Sequence, residues 1–371
     1  MKITLKKDLW KTPIQQLSNI TPQRNTLPIL QSLMIDPGNG VTLSATDLEL
    51  GMKFLVEAEV EEPRPITIPA KKFHDILNSI DTEDVTIETI SNDRIEIKSG
   101  NSKFKIVCLP PDEFPPLANI QSDAPLEISY DIFTKMLKQV IMCASKEDTR
   151  YYLNGLFFQV VDGNINLVGT DGKKLAFTHA TTEWTGKIQA IVPVKTIQAI
   201  LKLGGVNLQI CLVENQLGFA DINIGTSIIS RTIEGEYPDY NAVIAPVIEN
   251  TNRIVVKTAD LINSLRRVVT MAESKVRSTK FSVELGGFDA KLNMSSQYAE
   301  IGEATDWIAV EDHEIGDVKI EFAVNADYLL SILNAVSTET VILKHRDALS
   351  PILIQESEND NVSWVIMPMR L

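Results

Sequence analysis

Apolar residues along this chain keep two rhythms, a helical one in six short stretches and a strand-like alternation between them. Phe73, Ile76 and Leu77 stand at i, i+3 and i+4 behind Pro69. That spacing gives one buried helix face, entered where a proline has no N–H to lose. The segment Ile68–Leu77 lies without gaps over Val192–Leu201 and over Val324–Leu333. A second helical stripe also recurs. Leu9, Ile14 and Leu17 follow Ile3-Thr4-Leu5; Phe133, Leu137 and Val140 follow Ile128; Leu261, Leu265 and Val268 follow Ile254-Val255-Val256. With Ile3, Ile128 and Ile254 taken as equivalent, the units are 125 and 126 residues apart. Helices are predicted over 6–18, 71–79, 131–146, 195–203, 260–275 and 326–336. Val85, Ile87 and Thr89, then Ile95 and Ile97, then Phe104 and Ile106 alternate with polar neighbours, as half-buried strands do. Asn92-Asp93 and Gly100-Asn101 supply turn chemistry between them.

Self-similarity at this period means a repeat architecture. Phe114-Pro115-Pro116-Leu117 matches Tyr237-Pro238-Asp239-Tyr240, 123 residues later, and proline there suits a connector. The expectation is three domains, 1–120, 121–247 and 248–371. Each has two helices packed on antiparallel sheets, an α+β fold.

Composition adds little against this picture: 44% hydrophobic and 23% charged residues permit ordinary cores. The segment Met1–Asp8 has no apolar h-region, and no apolar run reaches the ~18 residues of a membrane span. A cytoplasmic location is expected. Cys108, Cys143 and Cys211 are scattered, with no CxxC pair, which argues for buried thiols rather than a disulfide framework or zinc. His74, His179, His313 and His345 show no ligand spacing, and no P-loop, GxGxxG, GxSxG or HExxH motif occurs. No metal, cofactor or catalytic residue is expected. Asp47 and Asp171 recur in like contexts, Ala45-Thr46-Asp47-Leu48 and Gly169-Thr170-Asp171-Gly172, which points to a turn that holds the fold.

Charge changes the picture more. The net charge of −14 opposes nucleic-acid binding by the chain as a whole. The six predicted helices, however, hold thirteen cations against six anions, so strands and loops carry the acidity. Solvated helix faces would account for that split. A split this large, partitioned by element type across the repeats, favours instead a basic surface of helices backed by acidic sheets. The 326–336 helix is the exception, with Asp327 and no cation.

Taken together, certain segments resemble the bacterial DNA polymerase III β subunit, the replication sliding clamp, over the whole chain. They are Thr26-Leu27-Pro28-Ile29-Leu30, Ala45-Thr46-Asp47-Leu48-Glu49, Arg150-Tyr151-Tyr152-Leu153-Asn154-Gly155, Thr170-Asp171-Gly172, Tyr237-Pro238-Asp239-Tyr240 and Met367-Pro368-Met369-Arg370-Leu371. The resemblance implies a head-to-tail homodimer closed into a ring with helices inside. Such a ring encircles duplex DNA without sequence preference. It is opened by an ATP-driven clamp loader, needs no cofactor, and tethers the replicative and other DNA polymerases through short apolar peptide motifs. A peptide-binding repeat scaffold without encirclement, and an enzyme of unknown class, are the rival readings.

The resemblance also implies sites. Arg24, Lys71, Lys195 and Lys202 would face DNA, with Lys146, Tyr151 and Tyr152 beside them; the two tyrosines read equally as core packing. Glu147 stands where many members carry glutamine. The partner pocket would comprise Leu153, Thr170, Gly172, Lys173, Lys174 and Leu175, then Pro238 and Val243. Val365, Met367 and the terminal Pro368, Met369, Arg370 and Leu371 complete it. Lys173-Lys174 replaces a common His-Arg or Ser-Arg pair, and Ala242 stands where arginine is frequent. Lys72, Phe104 and Ile106 would meet Thr270 and Met271 of another copy, covering an edge strand otherwise prone to aggregation.

Overall fold

In the computed structural model the described residues are all but 23, 25, 39, 92, 119–121, 146–147, 251, 287–288, 316–320 and 371. They form two compact units, one of residues 1–134 and 195–232, the other of 135–194 and 233–371. All six predicted helices form: α1 Lys7–Ile20, α2 Ala70–Ser79, α3 Tyr130–Val140, α4 Val194–Leu203, α6 Thr258–Val268 and α7 Ala326–Leu333. The last turns expected of α3 and α6 become separate 3-10 turns, Ile141–Cys143 and Val269–Met271. A further helix, α5 Asn241–Ile248, lies where only a connector was expected.

The stripes that predicted the helices hold them, except in α1, where the expected Leu9 is 54% exposed and Trp10, four residues before Ile14 and so on its face, is buried in its stead. Trp10, Ile14 and Leu17 of α1 are buried, as are Phe133, Leu137 and Val140 of α3 and Leu261, Leu265 and Val268 of α6. The strand-to-helix boundaries fall at 6/7, 129/130 and 257/258, which corrects the spacing of the repeats. Ile128 is the counterpart of Leu5 and Val256, not of Ile3 and Ile254. The cause is strand geometry: residues i and i+2 share a face, so a slip of two leaves the burial pattern unchanged. The second signature keeps its ungapped alignment, since Pro69, Pro193 and Asn325 each close a strand before α2, α4 and α7.

The first unit has a five-stranded sheet ending at the strand Ser102–Val107 and an eight-stranded sheet. In the latter, Thr226–Arg231 of the second repeat pairs antiparallel with Leu50–Val56 of the first. The second unit repeats the device: Lys174–Thr181 of the second repeat pairs with Asn359–Ile366 of the third, within a nine-stranded sheet. Its other sheet has four strands and ends at Gly302–Ala309. The two junctions share one register. Counting across the ladders from the helix starts makes Phe104, Ile228 and Trp364 equivalent, and likewise Met52, Ala176 and Ala304. Ile228 stands opposite Met52, and Trp364 stands opposite Ala176.

Candidate functional site

The recurring Thr-Asp turns are built alike. Asp47 Oδ1 accepts the N–H groups of Glu49 at 3.0 Å and Leu50 at 2.7 Å. Asp171 Oδ1 accepts those of Lys173 at 2.8 Å and Lys174 at 2.9 Å. The preceding threonine accepts from the third residue, Leu48 or Gly172, in both. This is the structural role expected of the two aspartates, a side chain substituting for backbone acceptors in a tight turn. The third residue has positive φ in each, +80° at Leu48 and +83° at Gly172.

Several site candidates gather around the 171–174 turn. Lys173 O accepts the Met367 N–H at 2.9 Å, so the terminal segment is fastened to the turn. Met369 N donates to Ala323 O at 2.7 Å. Leu175 pairs with Val365, and both belong to a cluster with Phe157, Tyr237, Tyr240 and Ile244. Val243 and Tyr152 pack against that cluster from the solvent side. Met367 is exposed over 45% of its surface, Pro238 and Gly172 are exposed, and Pro368 and Met369 are half-buried. The result is an apolar surface with methionines at its rim, adaptable to varied apolar side chains. Leu153 and Thr170 are buried; Leu153 is 1% exposed, and Thr170 donates to Lys174 O. Leu371 falls outside the described residues, and Arg370 is exposed.

Charges at this surface are arranged unequally. Lys173 is exposed. Lys174 is committed inward, donating to Met142 O, with its ammonium 5.1 Å from the centre of the Tyr328 ring. Arg150 holds Asp148 by two bonds, Nε to Oδ1 at 3.0 Å and Nη2 to Oδ2 at 2.9 Å. A Cβ on Gly172 would come within 3.3 Å of that guanidinium. Arg150 keeps the Asp148 carboxyl ionised down to about 2. Sequence reasoning leaves Arg150 out of the site, although it opens the Arg150–Gly155 motif.

The candidate DNA contacts sort differently. Arg24, Lys71 and Lys202 are exposed cations, and Tyr151 is 74% exposed. Lys195 is exposed but forms an ion pair with Asp47. Tyr152 is half-buried among residues of the pocket, so it stands with that group rather than with Tyr151. Lys146 and Glu147 lie outside the described residues. With their observed bounds, the six paired helices keep ten cations against five anions.

Of the candidate self-association residues, Lys72, Phe104 and Ile106 line one groove of about 590 Å³ with Asp75, Ile76, Ser79, Lys105 and Val107. Thr270 and Met271 follow α6, and Met271 lies beside Gly302, at the start of the other free-edged strand. Among the described residues no group of three or more His, Cys, Asp or Glu could hold a metal, and no helix is long and apolar enough to cross a membrane.

Three repeats, sheets continuous across repeat boundaries, and an apolar surface beside the fastened 367–369 segment define a clamp-type protein. Comparison with known proteins agrees. The N-terminal, central and C-terminal domain families of the DNA polymerase III beta subunit match residues 1–118, 127–239 and 246–370. The beta sliding clamp of Salmonella typhimurium is 28% identical over 379 aligned residues, covering all of both chains. Two solved DnaN sliding clamps bound to griselimycin also cover all of both chains. That from Pseudomonas aeruginosa has a TM-score of 0.92 at 26% identity, and that from Bartonella birtlesii 0.90 at 28%. The chain belongs to the DNA polymerase III β-subunit family, the sliding clamps: non-catalytic processivity subunits of the replicative polymerase.

Proposed function

We propose that two copies of this chain, each of three domains divided near residues 120 and 247, join head to tail into a ring around duplex DNA. The observation that carries this reading is the shared register of the two internal junctions. Among the described residues, the strands Ser102–Val107 and Gly302–Ala309 each end a sheet with no partner on the outer edge. They are the counterparts of the strands that join at each internal junction. The same register, applied between copies, sets Phe104 opposite Ala304, Lys105 opposite Glu303 and Ser102 opposite Asp306. Large meets small on the inner face, as Trp364 meets Ala176. Opposite charges meet on the outer face. Pairing in this way also removes two exposed edges that would otherwise template aggregation.

Inside the ring, Arg24, Lys71, Lys202 and Tyr151, with Lys146 and Lys195, line the path of the phosphates. Lysine suits sliding, because its ammonium is a point charge with no fixed geometry. The acidic remainder repels DNA from the outside. The surface formed by Gly172, Lys173, Pro238, Val243 and Met367 takes short apolar peptides of the replicative polymerase, other DNA-processing proteins and an ATP-driven loader, in the cytoplasm. Retention then follows from topology, so weak contacts suffice.

The test is retention on circular DNA loaded with a matched loader and ATP, before and after linearisation. Retention on the circle with rapid loss from linear ends supports encirclement. Equal retention on both would mean ordinary affinity binding. Loss on both, with an active loader, would favour the peptide scaffold.

A further inference from the structure

Trp307 lies on the strand Gly302–Ala309 with 54% of its surface exposed, on the same face as Glu303 and Thr305. Its ring has the Lys291 ammonium 4.3 Å from its centre. Its backbone N–H donates to the side chain of the preceding residue, Asp306 Oδ1, at 2.8 Å. An exposed tryptophan at the end of an unpaired edge leaves much apolar area in water, and such residues are enriched where chains associate.

The internal junctions indicate what belongs there. By the repeat alignment the counterpart of Trp307 is Leu55. The Leu55 N–H donates across the first junction to Gly225 O at 2.8 Å, one residue beyond the paired strand. A Cβ on Gly225 would lie 2.5 Å from the Leu55 Cβ, so the leucine closes tightly on the opposite turn. The counterpart of Gly225 is Asn101, in the turn that precedes Ser102–Val107.

We propose that Trp307 is an anchor of self-association, its ring seated against Asn101 of a second copy and flanked diagonally by that copy's Lys103. The Trp307 N–H then exchanges its local Asp306 acceptor for the carbonyl of Asn101, as Leu55 uses that of Gly225. Lys291 on one side and Lys103 on the other put cations at a ring whose electron-rich face attracts them. The outer face of the joined sheet is then an uninterrupted series: Lys105 with Glu303, Lys103 with Thr305, Asn101 with Trp307. This inference rests on the strand pairing proposed above.

Sedimentation equilibrium of the full chain, with W307A and W307F, tests it. Buried aromatic anchors dominate interface energetics. W307A is expected to raise the dimer Kd by about a hundredfold, with most of that recovered in W307F. Diluting the wild type through its Kd is expected to shift tryptophan emission to the red, and W307F is expected to lose that shift, because Trp10 and Trp364 are fully buried in the chain itself and the half-buried Trp184 lies on neither pairing strand. An unchanged Kd in W307A, with folding intact by circular dichroism, overturns the role of Trp307. The charge reversals Lys105→Glu and Glu303→Lys, each alone and mixed, then report independently on the strand pairing. A wild type that stays monomeric at every concentration would overturn the pairing itself.

Discussion

Reversing one charge at the proposed junction gives a decisive and quantitative outcome. Lys105 is exposed, and its ammonium is 4.0 Å from Glu96 in the single chain. The repeated register puts it directly opposite Glu303 of another copy. A cross-strand pair of opposite charges contributes up to ~1 kcal/mol, and like charges cost a comparable amount. With about half that strength at a solvated edge, Lys105→Glu loses ~0.5 kcal/mol of attraction and adds ~0.5 kcal/mol of repulsion per junction. A head-to-tail pair has two junctions, so the dimer weakens by about 2 kcal/mol, roughly 30-fold in Kd. Glu303→Lys alone should do the same. Mixing the two variants in equal amounts is the informative step. In the mixed dimer, one junction pairs the introduced glutamate with the introduced lysine, and the other keeps the native Lys105 and Glu303. Affinity should therefore return close to that of the wild type. Sedimentation equilibrium at low and high salt is the assay, and the effect should shrink as salt screens the exposed pair. A Kd indifferent to Lys105→Glu, or a mixture as weak as either variant alone, would refute the shared register.

Leu48→Gly should stabilise the first unit by about 1 kcal/mol in urea unfolding, because Leu48 has the left-handed backbone that its counterpart Gly172 adopts without a side-chain penalty. Lys71→Glu and Lys202→Glu should each weaken retention on DNA and lower the salt dependence, by about 0.9 in log–log slope for each phosphate no longer neutralised. Asp47→Ala should strengthen retention by releasing Lys195, and an unchanged salt slope there would mean that Lys195 does not face DNA. For pH, the folded pKa of Asp148 is depressed to about 2 by Arg150, below the ~3.9 of an unfolded chain. The Arg150–Asp148 clamp should hold from neutral pH down to about 4 and be lost as pH falls towards 2, whereas Asp148→Asn should show no such loss by NMR of the 148–154 loop.

The helices are legible in the sequence because three of them repeat the same apolar spacing behind a strand end, and three more repeat another. Strand alternation does not fix register, so Ile128 reads as the match of Ile3 where the ladder makes it that of Leu5. Helix α5 is hidden because Asn241-Ala-Val-Ile-Ala-Pro-Val-Ile is apolar on most sides and contains Pro246, leaving no amphipathic stripe. Its signal is Asp239, which accepts the Asn241 N–H at 3.0 Å. The division into two units, each taking half of the second repeat, depends on pairing between distant strands that no local pattern records. The same limit applies to the site. Lys195 reads as a free cation until Asp47 is brought beside it, and Tyr152 reads as Tyr151's equal until the fold turns one inward.

The continuity of the sheets across repeats also decides where a ring of this design could be breached. Each copy carries two junctions whose ladders are backed by covalent chain, so a closed pair has four seams that stay tied even if their hydrogen bonds part. Only the two seams between copies lead from the inside to the outside once separated. In the proposed ring a gate for DNA would be confined by connectivity to the edges at Ser102–Val107 and Gly302–Ala309, and on a closed circle of DNA the strength of those two seams would set how long the ring stays.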